Sequence, residues 1–406
     1  MVAEYLEQIR RKIRSEVGGI DGAVDLLVSR FKEFLAGRSD DWRAKATSPS
    51  GVVLSGIPGS GKSKLALAFA RAAGLDYEVV NCPELFFADQ GKSEACLIEH
   101  FTRNADDSKL PQRIGDKGLL DSVRVLILED IDVLAGSKKP DTIEARMFSL
   151  LLSCIDSSSD VFVIGATNRI SAIPEEIRRL GRLDTVVDVH LADAESRAAV
   201  LQIMLQKFEN IAHSEDIHRV AKAAHGFSAA DLQSLCLRGF MDHGSDTSAD
   251  DLVRIASEIK PSNLSSFQSN VPVVHFSDIF GLEKTIQHVK ALVIEPLLHA
   301  EKYHEMQVEP PRGALIYGPP GSGKSMLCCA VANELAVNTI WVDSTQMRSM
   351  IVGESEKAIA DLFEQARKSA PCILLFDHVS KANGHGQFSP QVCAGIDYRS
   401  KMAVFV

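Results

Sequence analysis

The sequence predicts an α/β fold: a parallel sheet with helices on both faces, then a small helical subdomain, then a second and incomplete copy of the same plan. Three observations predict it. Two segments, Gly56-Ile57-Pro58-Gly59-Ser60-Gly61-Lys62-Ser63 and Gly318-Pro319-Pro320-Gly321-Ser322-Gly323-Lys324-Ser325, fit G-x-x-x-x-G-K-[ST]. Each follows an apolar strand-like run and precedes an apolar, alanine-rich helix, the context in which this motif holds phosphate. Strand-like and helix-like stretches alternate as far as Ala192, after which only helical periodicity continues.

In order, the strand candidates of the first unit are Val52–Ser55, Tyr77–Asn81, Val123–Leu128, Val161–Ala166 and Val186–His190. Helical stretches separate them, as a parallel sheet requires. Ala194–Leu205, Ile217–Ala224 and Ala229–Gly239 read as amphipathic helices, with Ser228 as an N-cap. The Ser-, Asn- and Pro-containing stretch Lys260–Asn270 reads as linker. The second unit offers Gly313–Tyr317, Thr339–Asp343 and Ile373–Phe376 as strands, while Cys393–Val406 shows no clear period. The expected organisation is 1–192 and 193–260 for the two parts of the first unit, 261–273 for the linker, 274–390 for the second unit and 391–406 for a tail.

Composition narrows the class. Hydrophobic residues make up 45% of the chain, and the net charge is −10. That balance gives no direct signal for nucleic acid or an anionic membrane. No run reaches transmembrane length and the first residues carry no apolar signal core. The eight cysteines show neither C-x-x-C nor metal-ligand spacing, and Cys328-Cys329 reads as a pair of buried free thiols. A reducing, cytoplasmic setting is the expectation.

The two glycine-rich loops carry the chemistry. Their glycines let successive backbone N–H groups face the phosphates. Lys62 and Lys324 add a point charge, the Ser63 and Ser325 hydroxyls reach Mg²⁺, and the helix N-terminus favours the anion.

Several further segments stand in a fixed order around these loops. They are Glu16-Val17-Gly18-Gly19-Ile20, Gly165-Ala166-Thr167-Asn168-Arg169, Ile177-Arg178-Arg179-Leu180-Gly181-Arg182-Leu183-Asp184 and His225-Gly226-Phe227-Ser228-Ala229-Ala230-Asp231-Leu232. The second unit adds Phe276-Ser277-Asp278-Ile279-Phe280-Gly281, Ile294-Glu295-Pro296-Leu297, Pro310-Pro311-Arg312-Gly313 and Val352-Gly353-Glu354-Ser355-Glu356. Together they resemble the AAA+ ATPases, in particular the tandem two-ring group that includes valosin-containing protein, the peroxisome-biogenesis ATPases and the spermatogenesis-associated ribosome-maturation ATPases. The resemblance covers residues 12 to 382.

It implies a P-loop sheet with a helical lid, ATP and Mg²⁺ as cofactors, and a homo- or hetero-hexamer acting on a protein substrate or adaptor. It implies nucleotide contacts at Val17, Gly18, Pro58, Gly59, Ser60, Gly61, Lys62, Ser63, Leu65, Ala229 and Ala230 in the first unit. In the second unit the set is Asp278, Ile279, Pro320, Gly321, Ser322, Gly323, Lys324, Ser325, Met326 and Asp377. Asn168 would orient water near the γ-phosphate. Arg179 and Arg182 would reach a neighbouring subunit's nucleotide as arginine fingers, stabilising charge in trans.

The chain also departs from that pattern. The family's acidic strand ends in Asp-Glu, the aspartate on the metal side and the glutamate polarising water. Here the first unit has Glu129-Asp130, the reverse order, so Glu129 takes the metal position and Asp130, one methylene short, the base position. Asp132 is a possible compensator. The second unit has Asp377 for the metal but His378 in place of the base. The strand that follows the acidic motif has no evident counterpart after Asp377. A parallel sheet lacking it would leave backbone groups unpaired, so the second unit reads as truncated. Ile351 stands where a pore loop usually has an aromatic. In the first unit that place falls on Ala88-Asp89-Gln90-Gly91, with Phe86-Phe87 just before, either displaced grips or core.

Three functions are compatible: an ATPase that remodels proteins or complexes, in ribosome biogenesis by the likeness of Lys260–Leu264 and His225–Cys236; a weakly hydrolysing or non-hydrolysing partner subunit, such as the peroxisome-biogenesis type; and a P-loop small-molecule kinase, against which the motif order counts.

Overall fold

The computed structural model describes residues 2–38, 48–87, 91–102, 123–134, 142–191, 193–205, 214–224, 226–244, 247–259, 274–298, 303, 305–308, 311, 313–319, 321–335, 338–343, 362–363, 366–367, 372–377 and 402–405. The chain divides into two compact units, Met1–Ala221 with Ser228–Ile255, and Lys222–Phe227 with Ala256–Val406.

The first unit opens with two helices, α1 (Val2–Glu16) and α2 (Asp21–Gly37). Helix α1 adds an element to those the sequence marks. It buries Leu6, Ile9 and Ile13, and the Tyr5 hydroxyl donates to the carbonyl of Ala73 at 2.6 Å. Arg14 bridges to Asp21 at 2.7 Å and Asp25 at 3.1 Å, tying α1 to α2.

Five strands follow: β1 (Gly51–Ser55), β2 (Asp76–Asn81), β3 (Arg124–Glu129), β4 (Val161–Thr167) and β5 (Thr185–Asp188). All pairs are parallel, in the order β2-β3-β4-β1-β5. Parallel strands need crossovers. Helices α3 (Lys62–Ala73), α4 (Lys92–Thr102) and α5 (Ile143–Ser157) lie in those between β1 and β2, β2 and β3, and β3 and β4. Thr142 caps α5, accepting from the amide of Ala145 at 3.3 Å.

Side chains on a strand alternate between faces. On one face Val53, Leu126, Leu128, Val161 and Val163 pack with Leu97 of α4 and Met147 and Leu151 of α5. On the other, Phe162 meets Phe31 (5.3 Å between ring centroids) and Phe34 (5.2 Å) of α2 and Phe69 (5.9 Å) of α3. Both faces of the central strands β1, β3 and β4 are therefore dry, which explains why those strands read as continuous apolar runs.

After β5 the described elements are helical: α6 (Ala194–Leu205), α7 (Ser214–Ala223), α8 (Ala229–His243) and α9 (Ala249–Glu258). Ser228 is the N-cap of α8, accepting from the Asp231 amide at 3.2 Å, while the Asp231 carboxylate accepts from the Ser228 amide at 3.0 Å. This reciprocal pair fixes where α8 begins. The linker expected at 261–273 lies outside the described residues.

In the second unit α10 (Glu283–Val289) runs through a π turn at Lys290–Ile294, and α11 (Lys324–Leu335) follows β6 (Gly313–Ile316). Strands β7 (Asn338–Asp343) and β8 (Cys372–Asp377) pair in parallel. Cys328 and Cys329 are buried on α11.

The structure corrects one expectation. The slot between β6 and β8 is not left empty: β9 (Met402–Phe405), within the segment expected to be an aperiodic tail, fills it and gives the order β6-β9-β8-β7. It runs antiparallel to both neighbours. Two facing rows of backbone donors and acceptors need partners, and Met-Ala-Val-Phe, wholly apolar and without proline, satisfies both.

Phe162 is fully buried between α2, α3 and the sheet. Phe162→Ala is expected to destabilise the first unit by about 3–5 kcal/mol, read as a lower urea midpoint. A loss well under about 1 kcal/mol would deny this cluster its role.

Candidate nucleotide site

The parallel order sets the carboxyl ends of β1, β3 and β4 side by side, and the cleft opens there, where open α/β sheets bind ligands. From β1 the chain enters the first glycine-rich loop. Gly59 and Gly61 take φ of +76° and +99°, values that side chains resist. The loop leads straight into α3, whose first turn carries no acidic residue. Its N-terminal turn and dipole thus face the cleft with no acidic side chain beside them.

The cleft has a volume of about 450 Å³. Pro58 through Lys64 line its floor, and Glu129, Asp130 and Asn168 one wall. An apolar set also lines it: Val17, Ile20, Leu191, Val200, Ile203 and Met204. Gly18 also lines it and lies tight against α6: a Cβ there would stand 2.8 Å from the carbonyl oxygen of Ala199. The lining thus combines groups suited to phosphates with groups suited to a flat apolar ring.

Lys62 is only 8% exposed. Its ammonium donates to the carbonyls of Gly56 and Ile57 and to Oδ1 of Asn168, each at 2.9 Å. Asn168 in turn donates from Nδ2 to Oδ1 of Asp130 at 3.2 Å. Lysine, asparagine and aspartate form one chain of hydrogen bonds along the cleft. Asp130 is held at φ +51°, an unusual and costly conformation for a residue with a side chain. Asp132 does not join this chain. It accepts from the buried Thr167 hydroxyl at 2.8 Å, and that hydroxyl accepts from the Arg169 amide. It holds the end of β4 and, unlike Glu129 and Asp130, is not among the residues that line the cleft. The field of Asp130, Asp132 and Glu129 adds to burial in pushing the Cys82 thiol up to about 12.

Ser60 supplies an independent test of fit. Its hydroxyl is buried in the cleft lining and has no hydrogen-bond partner among the described residues, a loss expected to be made good by a polar ligand. With the α3 N-terminus and Lys62 it makes a donor set suited to phosphate oxygens. Ser63 and Glu129 both line the cleft beside that set, as a divalent metal on the phosphates requires.

The lid reaches the loop directly. The Ala230 amide, in the first turn of α8, donates to the carbonyl of Gly59 at 3.0 Å. Ala229, Ala230 and Gln233 line the cleft from that side. Leu65 is fully buried and is not among the lining residues. Its neighbour Lys64 lines the cleft instead, exposed in the first turn of α3. Counting from the loop lysines marks it: Lys62-Ser63-Lys64 aligns with Lys324-Ser325-Met326, so Lys64 corresponds to Met326. Gln233, Ile203 and Met204 carried no such signal.

Arg179 and Arg182 lie outside this cleft. Arg182 is paired with Asp156 and Arg179 is exposed. Phe86 packs against the core, while Phe87 is 44% exposed. Ala88, Asp89 and Gln90 lie outside the described residues, as do Ile351 and Val352–Glu356.

In the second unit, Lys324 donates to the Pro319 carbonyl at 2.6 Å and the Ser322 hydroxyl at 3.0 Å. Gly321 and Gly323 both have φ +80°. Met326 is 39% exposed on α11. Asp278 accepts from the His275 amide at 2.9 Å, closing a short turn, and Ile279 is buried against α11. Asp377 ends β8; Pro320 and His378 lie outside the described residues.

Residues 52–191 and 314–394 match the family described as ATPase family associated with various cellular activities (AAA). The chain is 31% identical to human ATPase family gene 2 protein homolog A over 358 residues, 82% of this chain and 38% of that protein. It is 32% identical to the cell division cycle protein 48 homolog of Archaeoglobus fulgidus over 357 residues, again 82% of this chain and 47% of that protein. The chain belongs to the AAA family of ATPases, and it spans less than half the length of these two relatives.

With the second loop silenced by Lys324→Ala, Lys62→Ala is expected to abolish ATP binding measured by titration calorimetry. In the same background Gly59→Ala should weaken it roughly tenfold or more, because the new methyl meets Ala230 Cβ at 2.8 Å and strains a positive φ. Wild-type affinity in the Lys62 variant would place nucleotide elsewhere. A separate change, Lys64→Met, removes a cation facing the cleft and is expected to reduce the salt dependence of ATP affinity.

Proposed function

We propose that the first unit binds ATP with Mg²⁺ and hydrolyses it slowly, within a homo- or hetero-hexameric ring that remodels a protein or protein complex. The observation that carries this is the Lys62–Asn168–Asp130 hydrogen-bonded chain beside the Ser60 hydroxyl, which has no partner among the described residues. The loop amides, Lys62 and Ser60 bind and orient the phosphates. Ser63 and Glu129 hold the metal, which when bound neutralises phosphate charge. Asn168 and Asp130 place the attacking water, with Asp130 taking its proton. Arg179 of a neighbouring subunit stabilises charge on the transferring group. Asp130 is the weak point: a carboxylate about 1 Å out of place costs on the order of 100-fold in rate.

For the second unit we propose nucleotide binding without turnover, Asp377 and Ser325 being the metal ligands. In the first unit β4 runs its carboxyl end, Thr167-Asn168, to the mouth of the cleft. In the second, β9 runs the other way, and Met402 stands opposite both Ile316 and Asp377. That direction, with His378 in the base position, favours a holding site. The same features support the second reading, a chain that binds ATP and turns it over at neither site. Ribosome maturation is the setting suggested by the linker and lid sequences, with the substrate or adaptor a protein.

The test is steady-state ATP turnover together with mass in solution, with and without ATP. Turnover lost in Arg179→Ala, alongside an ATP-dependent hexamer, is the expected result; tight binding on a monomer without turnover would install the second reading. Exchanging the acidic order, Glu129→Asp with Asp130→Glu, should raise turnover by on the order of tenfold or more. An unchanged rate would show that the reversed pair already places its water correctly.

A further inference from the structure

The segment between Ile177 and Asp184 is held at several points. Leu183 N donates to the Ile177 carbonyl and Arg182 N to the Arg179 carbonyl, both at 3.1 Å. From the strand entrance, Ser50 donates its hydroxyl to the Gly181 carbonyl at 2.7 Å and its amide to the Arg182 carbonyl at 3.1 Å. The Arg182 guanidinium completes the set. Nε and Nη2 donate to the two oxygens of Asp156, in the last turn of α5, at 2.7 and 2.6 Å, and Nη1 donates to the Glu176 carbonyl at 2.7 Å. All three nitrogens are engaged inside the chain. Two parallel charge-assisted bonds to one carboxylate fix direction as well as distance.

Arg179, three residues earlier, is its opposite. It is exposed, and among the described residues its side chain makes no hydrogen bond or ion pair. Leu180 beside it is 72% exposed. The loop thus presents one arginine outward while the other anchors it.

We propose that Arg182 is a positioning residue that works in cis, stapling the loop to Asp156 so that Arg179 alone is presented to the neighbouring subunit's nucleotide. This rests on the reading of Arg179 as a finger in trans. For Arg182 to reach another subunit it would have to abandon Asp156 and Glu176 together and leave the carboxylate unpaired. Arg182 therefore acts on turnover only through the position of Arg179.

Charge reversal within one chain separates cis from trans. Arg182→Glu is expected to lower turnover about 100-fold, as for a catalytic group displaced by about 1 Å, with ATP affinity retained. Adding Asp156→Arg to the same chain should restore most of the rate, because the reversed pair closes the same staple. A finger acting in trans gains nothing from that second change, so an unrescued double variant overturns the proposal. Amide hydrogen exchange gives a readout that needs no turnover. The amides of Arg182 and Leu183 should exchange faster in Arg182→Ala and Asp156→Asn, and at the wild-type rate in Arg179→Ala. Unchanged exchange in the first two variants also overturns it. Absence of turnover in the wild-type chain would count against the proposed function, and the exchange comparison would then decide this inference by itself.

Discussion

The placement of β4 between β1 and β3 is the constraint on which the first unit depends. It joins the phosphate-binding loop, the acidic pair and Asn168, three pieces far apart in sequence, at one end of one sheet. The ladder pairs Ser55 with Thr167 and Leu128 with Gly165, so loop and asparagine start from neighbouring positions. Backbone hydrogen bonding fixes that register. The aromatic cluster around Phe162 on one face and the aliphatic cluster on the other hold it against slippage, since a shift by one residue would turn both sets of side chains to the wrong face.

In the second unit a different strand fills the same slot. Its sheet is closed by β9, but the strand direction is reversed. Closure satisfies the backbone. It does not carry a side chain out of the strand's carboxyl end to the loop, as β4 does. Fold and catalytic equipment are thus separable: a slot imposes hydrogen-bonding demands on whatever enters it, and says nothing about which chemistry accompanies the strand.

The acidic residues divide their work in a way the primary order conceals. Glu129 and Asp130 face the cleft, while Asp132 turns to Thr167 and stiffens the wall behind it. Asp130 and Asp132, separated by a single residue, face different neighbours because Asp130 bends the backbone through a positive φ, which redirects everything after it. The arginines of the 177–184 segment divide similarly, one engaged by Asp156 and one left outward.

The sequence by itself determined the two phosphate loops, the five parallel strands of the first unit to within a residue or two, the Ser228 cap and the helices after Ala192. These are local properties: glycine spacing, apolar runs between turns, and a capping serine three residues before an acid. Only the tertiary structure decided that α1 lies against α3, that Asp132 serves Thr167, and that residues 402–405 complete the second sheet. Each depends on a partner distant in sequence. A four-residue apolar stretch has no period long enough to read, and its state is set by the unpaired strand edges it meets, which lie about 85 and 25 residues earlier in the chain.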